Sequence, residues 1–432
     1  MPGYKQTEVG VIPEDWEVKN LSAVCSEPIQ NGIFFEPSRK GKGIKLINVG
    51  DLYIRSPIST DSLQLFDANE SERLRFRVVS GDLFFTRSSI VPSGIAHCNI
   101  YVSEETEPVV FDSHIIRLRP DSKKVVPSYL FRFCNSDAAR AYLISHAKTA
   151  IMTTIDQSVL NNCPVILPLR NEQQRIAEAL SDADELIEGL GQLISKKLEL
   201  KQGAMQELLS GRKRLSQESV GTFKNSEIGE IPSDWHVAEV GNIANVKTGP
   251  FGSSLHEHDY VEDGTPIVTV EHLGKRGITY SNLPKVSEKD WKRLSAYSLQ
   301  EGDIVFSRVG SIDRNAFVSK AEQGWLFSGR LLRVRRLSSK TDTKYLSYYF
   351  HSEPFKNRVR TVAVGQTMAS LNTQILKSVL VALPPHAEQT AIATILSDMD
   401  AEIAGLEVKL GKARRVKEGM MQDLLTGKVR LV

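Results

Sequence analysis

A repeated hydrophobic pattern stands out between residues 167 and 215 and again between residues 383 and 431. In both copies apolar side chains recur at alternating steps of four and three residues, the spacing by which helices pair. A helix over residues 172–209 would be about 57 Å long at a rise of roughly 1.5 Å per residue. We therefore predict two long helices, paired antiparallel as a coiled coil within one chain. The seam positions are Ile176, Leu180, Ile187, Leu190, Ile392, Leu396, Ile403 and Leu406.

Glycines interrupt both predicted helices at matching places. Gly189 and Gly203 in the first copy correspond to Gly405 and Gly419 in the second, at the same offset of 216 residues. Each glycine in a helix costs about 1 kcal/mol relative to alanine. We interpret their recurrence as allowing close approach of the two helices.

The repeat extends far beyond the helices. An Ile-Pro-x-Asp-Trp segment ends at Trp16 and again at Trp235, and the apolar segments 81–87 and 302–308 match each other. The chain is therefore organised as domain, helix, domain, helix. We predict an α/β (α+β) fold with a pseudo-two-fold internal repeat, in which the two long helices separate two globular domains. The predicted parts are a first domain (1–168), a first helix (169–215), a linker (216–240), a second domain (241–384) and a second helix (385–432).

Alternating and β-branched stretches predict strands in both domains, and three- and four-residue apolar spacing predicts one further helix in each. The strand segments are 44–49, 114–118 and 165–167 in the first domain and 266–270, 330–334 and 380–383 in the second. The helices are predicted over residues 128–147 and 343–359.

The composition is that of a globular protein, with 41% hydrophobic and 25% charged residues and a net charge of +2. No apolar run approaches the length of a membrane span and no signal peptide opens the chain, so we expect a cytoplasmic protein. The four cysteines are scattered and indicate neither a zinc site nor disulfides. Residues 241–386 contain 20 Lys and Arg against 13 Asp and Glu, whereas residues 20–168 contain 16 against 15. The second domain is thus the more basic.

Catalytic motifs are scarce. No methyltransferase loop, phosphate-binding loop or His-Glu-x-x-His helix occurs. Glu17 and Lys19 could serve a nuclease, but the second copy has His236 and Ala238 there, so a turn followed by a packing tryptophan is the better interpretation. Residues 256–258, His-Glu-His, lack the spacing of helical metal ligands.

Residues that could bind phosphates or base edges are better represented. Arg87 and Arg308 follow apolar strands and could hold a guanine or a phosphate, although a salt bridge to Asp82 or Asp303 is an equal alternative. The glycine-rich turn after Lys247 could bind phosphate or be a plain loop. The candidate DNA-binding residues are Arg87, Ser88, Lys247, Thr248, Ser253, Arg308 and Ser311.

These motifs resemble the specificity subunits of type I restriction-modification systems over essentially the whole chain. The resemblance rests on Leu-Pro-x-x-x-Glu-Gln-x-x-Ile-Ala before each long helix, on Leu-Ser-Asp within it, and on the Ile-Pro-x-Asp-Trp and Gly-Asp-x-x-Phe segments. It implies two target-recognition domains, each reading one half of a bipartite DNA site, and two helices that act as a spacer between them.

The resemblance also implies partners. Two modification subunits would dock on the helices and methylate adenine N6 with S-adenosylmethionine, and two restriction subunits would use ATP and Mg²⁺. The chain itself would be non-enzymatic and bind no cofactor. The alternative is a coiled-coil scaffold that binds proteins and has no DNA specificity.

Overall fold

A computed structural model describes the whole chain except residues 1–2, 35, 55, 105–106, 151, 216–221, 251–254, 256–258, 275–276, 364–369 and 432. The chain forms two compact units, each of which is described by itself. Unit 1 comprises Met1–Gly191 and Lys409–Val432, and unit 2 comprises Gln192–Val408. Each unit therefore contains one globular domain and one part of each long helix.

Unit 1 contains short strands and short helices before its long helix. Its strands are β1 (Tyr4–Thr7), β2 (Gly10–Pro13), β3 (Glu17–Asn20), β4 (Gln30–Asn31), β5 (Lys40–Ile47), β6 (Gln64–Phe66), β7 (Leu83–Thr86), β8 (Ser88–Ser89), β9 (Cys98–Ile100), β10 (Val109–Phe111), β11 (Ile115–Leu118), β12 (Lys148–Thr149), β13 (Thr153–Thr154) and β14 (Pro164–Leu167). Its helices are α1 (Asp51–Ile54), α2 (Glu70–Arg75), α3 (Pro127–Cys134), α4 (Asp137–Ser145), α5 (Gln157–Asn161) and the first part of α6 (Arg170–Leu209).

Unit 2 follows the same plan. Its strands are β15 (Phe223–Ser226), β16 (Gly229–Pro232), β17 (His236–Glu239), β18 (Ala244–Thr248), β19 (Tyr260–Val261), β20 (Thr265–Val268), β21 (Leu273–Gly274), β22 (Gly277–Ile278), β23 (Lys285–Val286), β24 (Ile304–Ser307), β25 (Asn315–Phe317), β26 (Leu326–Phe327), β27 (Leu331–Arg336) and β28 (Leu380–Leu383). Its helices are α7 (Val240–Ile243), α8 (Glu288–Arg293), α9 (Thr343–His351), α10 (Glu353–Ala363), α11 (Thr373–Ser378) and the first part of α12 (His386–Leu425).

The two long helices run antiparallel within each unit, as the sequence predicts. In unit 1, Lys417 of α12 forms an ion pair with Asp184 of α6 at 2.5 Å. In unit 2, Lys201 of α6 pairs with Asp400 of α12 at 2.6 Å, and one turn earlier in α6 Lys197 pairs with Glu402 at 2.6 Å. The partner's number falls as the number in α6 rises, which defines the antiparallel direction.

A four-stranded antiparallel sheet forms the centre of each domain, in the order β4-β11-β7-β9 in unit 1 and β18-β27-β24-β25 in unit 2. Alternate side chains of β7 enter different cores: Leu83 and Phe85 pack on one face, and Phe84 on the other. In β24, Ile304 and Phe306 pack on one face of the sheet and Val305 on the other. Since both faces are covered, these strands are continuous apolar runs rather than alternating ones.

A clamp joins the base of domain 1 to both long helices; we call Asp15, Trp16, Glu172 and Arg430 clamp 1. Arg430 holds both oxygens of Asp15 at 3.0 and 2.8 Å and both oxygens of Glu172 at 2.7 and 2.8 Å. The Trp16 indole donates to Glu172 at 3.0 Å, and Glu172 is buried. The hydrogen bond from Arg430 lowers the pKa of Asp15.

Clamp 2, formed by Asp234, Trp235, Glu388 and Arg214, repeats this arrangement in unit 2. Arg214 holds Asp234 at 2.9 and 2.6 Å and Glu388 at 2.9 Å, while Trp235 donates to Glu388 at 3.1 Å. In each clamp the arginine comes from the end of one copy of the repeat and the other three residues come from the other copy. The Asp-Trp segments that recur in the sequence are therefore fixed to the helices by charge-assisted hydrogen bonds.

Glycine is needed where the chain leaves each long helix toward its clamp. Gly427 and Gly211 have φ angles of +74° and +72°, which favour glycine. A Cβ atom at Gly427 would lie 2.5 Å from Pro13, and one at Gly211 would lie 2.3 Å from Pro232. Both prolines belong to the Ile-Pro-x-Asp-Trp segments, so the turn and the segment fit together closely.

The glycines inside the helices have a different setting, and their interpretation as points of close helix approach is wrong. A Cβ atom at Gly189, Gly203, Gly405 or Gly419 would meet no described atom within 4 Å. Among the described residues, no side chain or backbone outside their own helix packs closely against these glycines. Their cost in helix stability is therefore not offset by packing.

The single additional helix expected in each domain is two helices. Residues 128–147 divide into α3 and α4 because the Ser136 side chain accepts a hydrogen bond from the Ala139 amide and caps a new helix. Residues 343–359 divide at Ser352, whose extended backbone ends α9 before α10 begins. The strand predictions agree with the observed strands to within a few residues, and 380–383 coincides with β28.

Membrane-spanning helices, disulfides and metal-binding clusters were not predicted from the sequence. None of the helices in the described ranges combines the length and apolar character that a bilayer crossing requires. Cys98, Cys134 and Cys163 are buried and Cys25 is half-buried, all as free thiols. The described residues include no cluster of three or more His, Cys, Asp or Glu side chains suited to a metal ion. Residues 256–258 lie outside the described chain.

Candidate nucleic-acid interface

Arg87 and Arg308 occupy the same position in their domains, directly after the buried strands β7 and β24. The Arg87 amide donates to His114 at 3.0 Å and its carbonyl accepts from Ile155 at 3.0 Å. The Arg308 amide and carbonyl make the equivalent bonds with Arg330 and Leu371, at 2.9 and 2.8 Å. Both backbones are thus held on both sides at one end of the central sheet. The Arg87 side chain is exposed and that of Arg308 is half-buried.

The alternative that these arginines pair with the preceding aspartates is wrong. Asp82 accepts hydrogen bonds from Nε and Nη2 of Arg119, each at 2.8 Å, and Asp303 accepts from Nε and Nη2 of Arg335, each at 2.7 Å. Both aspartates are buried. Their role is to balance an arginine in the neighbouring strand, which leaves Arg87 without an ion pair among the described residues.

A pocket of about 270 Å³ lies beside Arg87 in unit 1. It is lined mainly by groups that can donate hydrogen bonds, with an apolar floor and one carboxylate. The lining residues are Arg87, Ser88, His114, His146, Lys148, Thr154, Ile155, Asp156 and Val159. A guanidinium, an ammonium, two imidazoles and hydroxyls converging on one cleft suit the oxygen atoms of a phosphate or the acceptor atoms of a base edge.

The single carboxylate of this pocket, Asp156, is engaged by the protein itself. It accepts hydrogen bonds from the Ser158 hydroxyl and from the Val159 amide, the latter at 3.1 Å, and forms an ion pair with Lys148 at 3.2 Å. The hydrogen bond from Ser158 and the contact with Lys148 lower the pKa of Asp156 to about 2. It therefore stays ionised, and it orients Lys148 at the rim of the pocket.

The candidates of unit 2 lie near the corresponding end of its sheet. Thr248 is the last residue of β18, and the next amide, of Gly249, donates to Leu331 at the start of β27. Arg308 bonds to Arg330, one residue before that strand, so β18 and β24 deliver their ends to the same edge. Ser311 is exposed in the loop after β24. Ser253 lies outside the described residues.

Lys247 is more constrained than a loop lysine. Its ammonium donates to the Ala296 carbonyl at 2.8 Å and lies 4.4 Å from the centre of the Tyr297 ring. Its side chain is half-buried in β18 rather than free in the turn that follows. The interpretation as a plain loop residue therefore does not apply to Lys247.

The seam positions of the long helices divide into two groups by burial. Ile176 and Leu180 are buried in the core of domain 1, and Ile392 and Leu396 are buried in the core of domain 2. Toward the middle of the helices, Ile403 is buried, whereas Ile187, Leu190 and Leu406 are half-buried. The ends of the seam thus dock the helices on the domains.

The nuclease candidates Glu17 and Lys19 form an exposed ion pair with each other at 2.6 Å on strand β3. No other acidic or histidine side chain of the described chain joins them in a group that could hold a metal ion. Their neighbour Trp16 belongs to clamp 1, which accounts for the recurrence of this segment as a structural element.

The sequence pattern did not single out His114, His146 and Lys148, which line the pocket with Arg87. The signal available for His114 was its place in the repeat: it aligns with Arg330, directly before a buried strand in both domains. His146 and Lys148 follow α4 in a region whose counterpart, residues 364–369, lies outside the described chain.

Known proteins share this organisation. The family model for the type I restriction modification DNA specificity domain matches twice, at residues 13–200 and 232–410. A protein from Methanocaldococcus jannaschii, assigned as the specificity subunit of the type I restriction enzyme MjaX, is 27% identical over 99% of this chain and 97% of its own length. The MjaVIII specificity subunit of the same organism is 26% identical over 74% of this chain and 75% of its own length.

A solved structure has the same fold. The S subunit of a type I restriction-modification system from M. genitalium superimposes with a TM-score of 0.58 at 15% identity, covering 95% of this chain and 96% of that one. Each family match takes in one domain and part of the long helix that follows it, in agreement with the two copies of the repeat. Because the two matches span most of its length, the chain belongs to the type I restriction-modification DNA specificity family.

Proposed function

We propose that each domain of this specificity subunit reads one half of a bipartite DNA target, with residues 1–168 and 241–384 as the two target-recognition domains. One observation carries this proposal: Arg87 and Arg308 have the same backbone setting at the same end of equivalent sheets. Their surroundings differ, with His114 beside Arg87 and Arg330 beside Arg308. A shared placement with different chemistry is what two readers of different half-sites require.

The contacts we assign to DNA follow from this placement. In domain 1 they are Arg87 and Ser88, together with the pocket residues His114, His146 and Lys148. In domain 2 they are Lys247, Thr248, Arg308 and Ser311, and Ser253 is kept as a candidate on the sequence alone. The arginines suit base edges in the major groove, and the lysines and hydroxyls suit phosphates.

The long helices are proposed to dock two modification subunits and, by the length of their pair, to set the spacing between half-sites. The glycines inside α6 and α12 support docking. They recur in both copies, they weaken the helices, and no described atom would meet a Cβ there. A partner that approaches the helix backbone closely would explain their retention.

The chain has no catalytic role in this proposal. S-adenosylmethionine serves the modification subunits, which methylate adenine N6, and ATP and Mg²⁺ serve two restriction subunits. The complex would act in the cytoplasm, on DNA whose target is unmethylated.

Exchanging one reader tests the proposal. Replacing residues 241–379 with the corresponding segment of another specificity subunit should change one half of the methylated motif and leave the other half as it was. The readout is adenine-methylation mapping of DNA exposed to the chain together with its modification subunit. Unchanged methylation in both halves would refute the assignment of one half-site to each domain.

The spacer role has its own test. One extra heptad in α6 after Gly191 and one in α12 after Val408 preserves the paired seam and lengthens each helix by about 10 Å. The distance between the methylated half-sites should grow by about three base pairs, at roughly 3.4 Å each, with the bases read unchanged. A change in base identity would count against the spacer role.

The scaffold alternative predicts a different result in gel shifts. If the chain only binds proteins, the wild-type chain with its modification subunit will show no sequence-dependent binding to any DNA. Methylation of a defined motif excludes this alternative.

A further inference from the structure

One strand in each central sheet carries a buried arginine: Arg117 in β11, which lies between β4 and β7, and Arg333 in β27, which lies between β18 and β24. The two have the same register, since Arg117 lies opposite Phe84 of β7 and Arg333 opposite Val305 of β24. Only 1% of Arg117 and 6% of Arg333 is exposed to solvent. A buried charge is costly unless it is paired, so the partners of these arginines are informative.

In unit 1 the charge is balanced. Arg117 pairs with Glu27 at 2.6 Å and donates to the Arg77 carbonyl at 2.9 Å. Arg119, directly after the end of β11, pairs with Asp82 at 2.8 Å and with Glu27 at 2.5 Å. Two arginines therefore face two carboxylates.

In unit 2 the described residues do not balance the charge of Arg333. Arg335 pairs with Asp303 at 2.7 Å, as its counterpart Arg119 does with Asp82. Arg333 has no carboxylate within ion-pair distance in the described part of the chain. Its side chain donates to the side-chain carbonyl of Asn245, at 3.5 Å. Among the described residues the Nε atom has no hydrogen-bond partner in either Arg117 or Arg333, so the difference between the two units lies in the carboxylate alone.

Lys247 adds a third cation at the same place. It lies directly opposite Arg333 in β18, where unit 1 has Gln30 opposite Arg117. Burial, and then the charges of Arg333 and Arg335, lower the pKa of Lys247. Burial and the charge of Arg335 likewise lower the pKa of Arg333. Like charges opposite each other in a sheet are destabilising, so this cluster costs stability in the free chain.

An anion that binds beside Lys247 would remove this repulsion. We propose that Lys247, with Arg333 behind it, binds a phosphate of the DNA backbone in the half-site of domain 2. Lys247 is half-buried and can reach a ligand, while Arg333 is almost fully buried and contributes through its uncompensated charge. This inference rests on the proposed DNA-reading function and extends it, because domain 1 has no such site at the equivalent position.

Three full-length variants test it, each with its modification subunit on the methylation-mapped duplex. Lys247→Gln introduces the residue type of the equivalent position in domain 1. Asn245→Asp places a carboxylate beside Arg333 with almost no change in shape. Lys320→Gln, at an exposed lysine of the same unit outside the cluster, is the control with the same loss of charge as Lys247→Gln.

We expect Lys247→Gln and Asn245→Asp each to weaken binding roughly five- to tenfold near 0.1 M salt and to reduce the slope of log affinity against log salt by about 0.9. Lys320→Gln should leave both values unchanged. Asn245→Asp should melt at or above the temperature of the wild-type chain, because it supplies the missing counter-ion, so weaker binding by it cannot be ascribed to unfolding.

Other outcomes overturn the inference. Wild-type affinity and salt slope in Lys247→Gln would show that no DNA phosphate is bound there, and the reader assignment itself would stand as long as the wild-type chain binds its target. A lower melting temperature with unchanged binding in Asn245→Asp would make the cluster purely structural. Stabilisation of the wild type by inorganic phosphate, with unchanged DNA binding in both variants, would make it a site for a free anion.

Discussion

The two units share the contacts that fix each domain to the long helices and differ in the charges around the buried arginine of the central sheet. Clamp 1 and clamp 2 use the same four residue types with distances that agree within a few tenths of an ångström. The central sheets have the same strand order. In contrast, Glu27 balances the buried arginine of unit 1, whereas Asn245 and Lys247 take the places around the arginine of unit 2. The two copies of the repeat thus agree in their clamps and differ in this charge cluster.

The largest effect should come from breaking a clamp. Arg430→Ala leaves the buried Glu172 unpaired and should lower the free energy of unfolding of unit 1 by about 4 kcal/mol. Arg214→Ala should do the same to unit 2 through Glu388. Hydrogen exchange followed separately in the two units is the measurement, since two units need not unfold in one transition. Lys428→Ala, at an exposed neighbour, is the control; an equal loss in both units from one variant would contradict the local role of each clamp.

The next largest effect should come from the buried aspartates that pair with the arginines of the central sheets, Asp303 in unit 2 and Asp82 in unit 1. Asp303→Asn leaves Arg335, Arg333 and Lys247 with no carboxylate among the described residues, and should destabilise unit 2 by about 3 kcal/mol. Asp82→Asn should cost unit 1 less, by about 1 kcal/mol or more, because Glu27 still pairs with Arg119.

Thermal and urea unfolding of both variants, with hydrogen exchange to identify the affected unit, would measure this difference. Asp263→Asn provides a control, since that carboxylate is fully exposed and its pair with Lys285 spans 3.5 Å. Equal destabilisation by Asp82→Asn and Asp303→Asn would mean that the surplus positive charge of unit 2 is compensated in another way.

A smaller effect is expected from the two candidate reading arginines. Arg87→Ala and Arg308→Ala should each weaken DNA binding about tenfold, or about 1.4 kcal/mol, if the guanidinium contacts a base or phosphate. Each should relax the methylated motif in one half only, and the two halves should differ. Methylation mapping and gel shifts measure this, with the exposed Lys123→Ala and Lys340→Ala as controls. Relaxation of the same half by both variants would contradict the assignment of one half to each domain.

The smallest effect should come from the glycines near the C-terminal end of each long helix. Gly203→Ala and Gly419→Ala remove a helix-weakening residue where a Cβ meets no described atom, so each should stabilise the isolated chain by up to about 1 kcal/mol. Thermal melting measures this. Binding of the modification subunit should weaken when the larger Leu replaces either glycine, and unchanged binding would argue against docking at these points.

The repeat made much of the fold predictable. The four-three spacing identified helices that pair. The matching segments identified the order of domains and helices and made each long helix the antiparallel partner of the other, because periodicity and repetition are properties of the sequence itself. The breaks at Ser136 and Ser352 were missed, since apolar spacing continued across residues that cap or end a helix.

The hydrophobic pattern and the repeat could not predict contacts between side chains that are far apart in the sequence. Arg430 binds Asp15 across 415 positions, and Glu27 balances Arg117 across 90. Neither pair has a local signature, so the clamps and the charge imbalance of unit 2 appear only when the folded partners are seen. Arg87 and Arg308 were selected as candidates because each follows a strand that the sequence marks clearly. That Asp82 pairs with Arg119, and Asp303 with Arg335, could not be predicted from the sequence.

Unit 1 is built from two separate segments of the chain and unit 2 from the single segment between them, so the two units are completed at different times during translation. Unit 2 consists of Gln192–Val408, so all of its residues have been synthesised before Lys409 is added. Unit 1 needs Lys409–Val432, and clamp 1 cannot close until Arg430 has left the exit tunnel. The first domain to be translated is therefore the last to be completed by its partner segment. Until Arg430 is available, Asp15 and Glu172 lack the guanidinium that pairs with them in clamp 1.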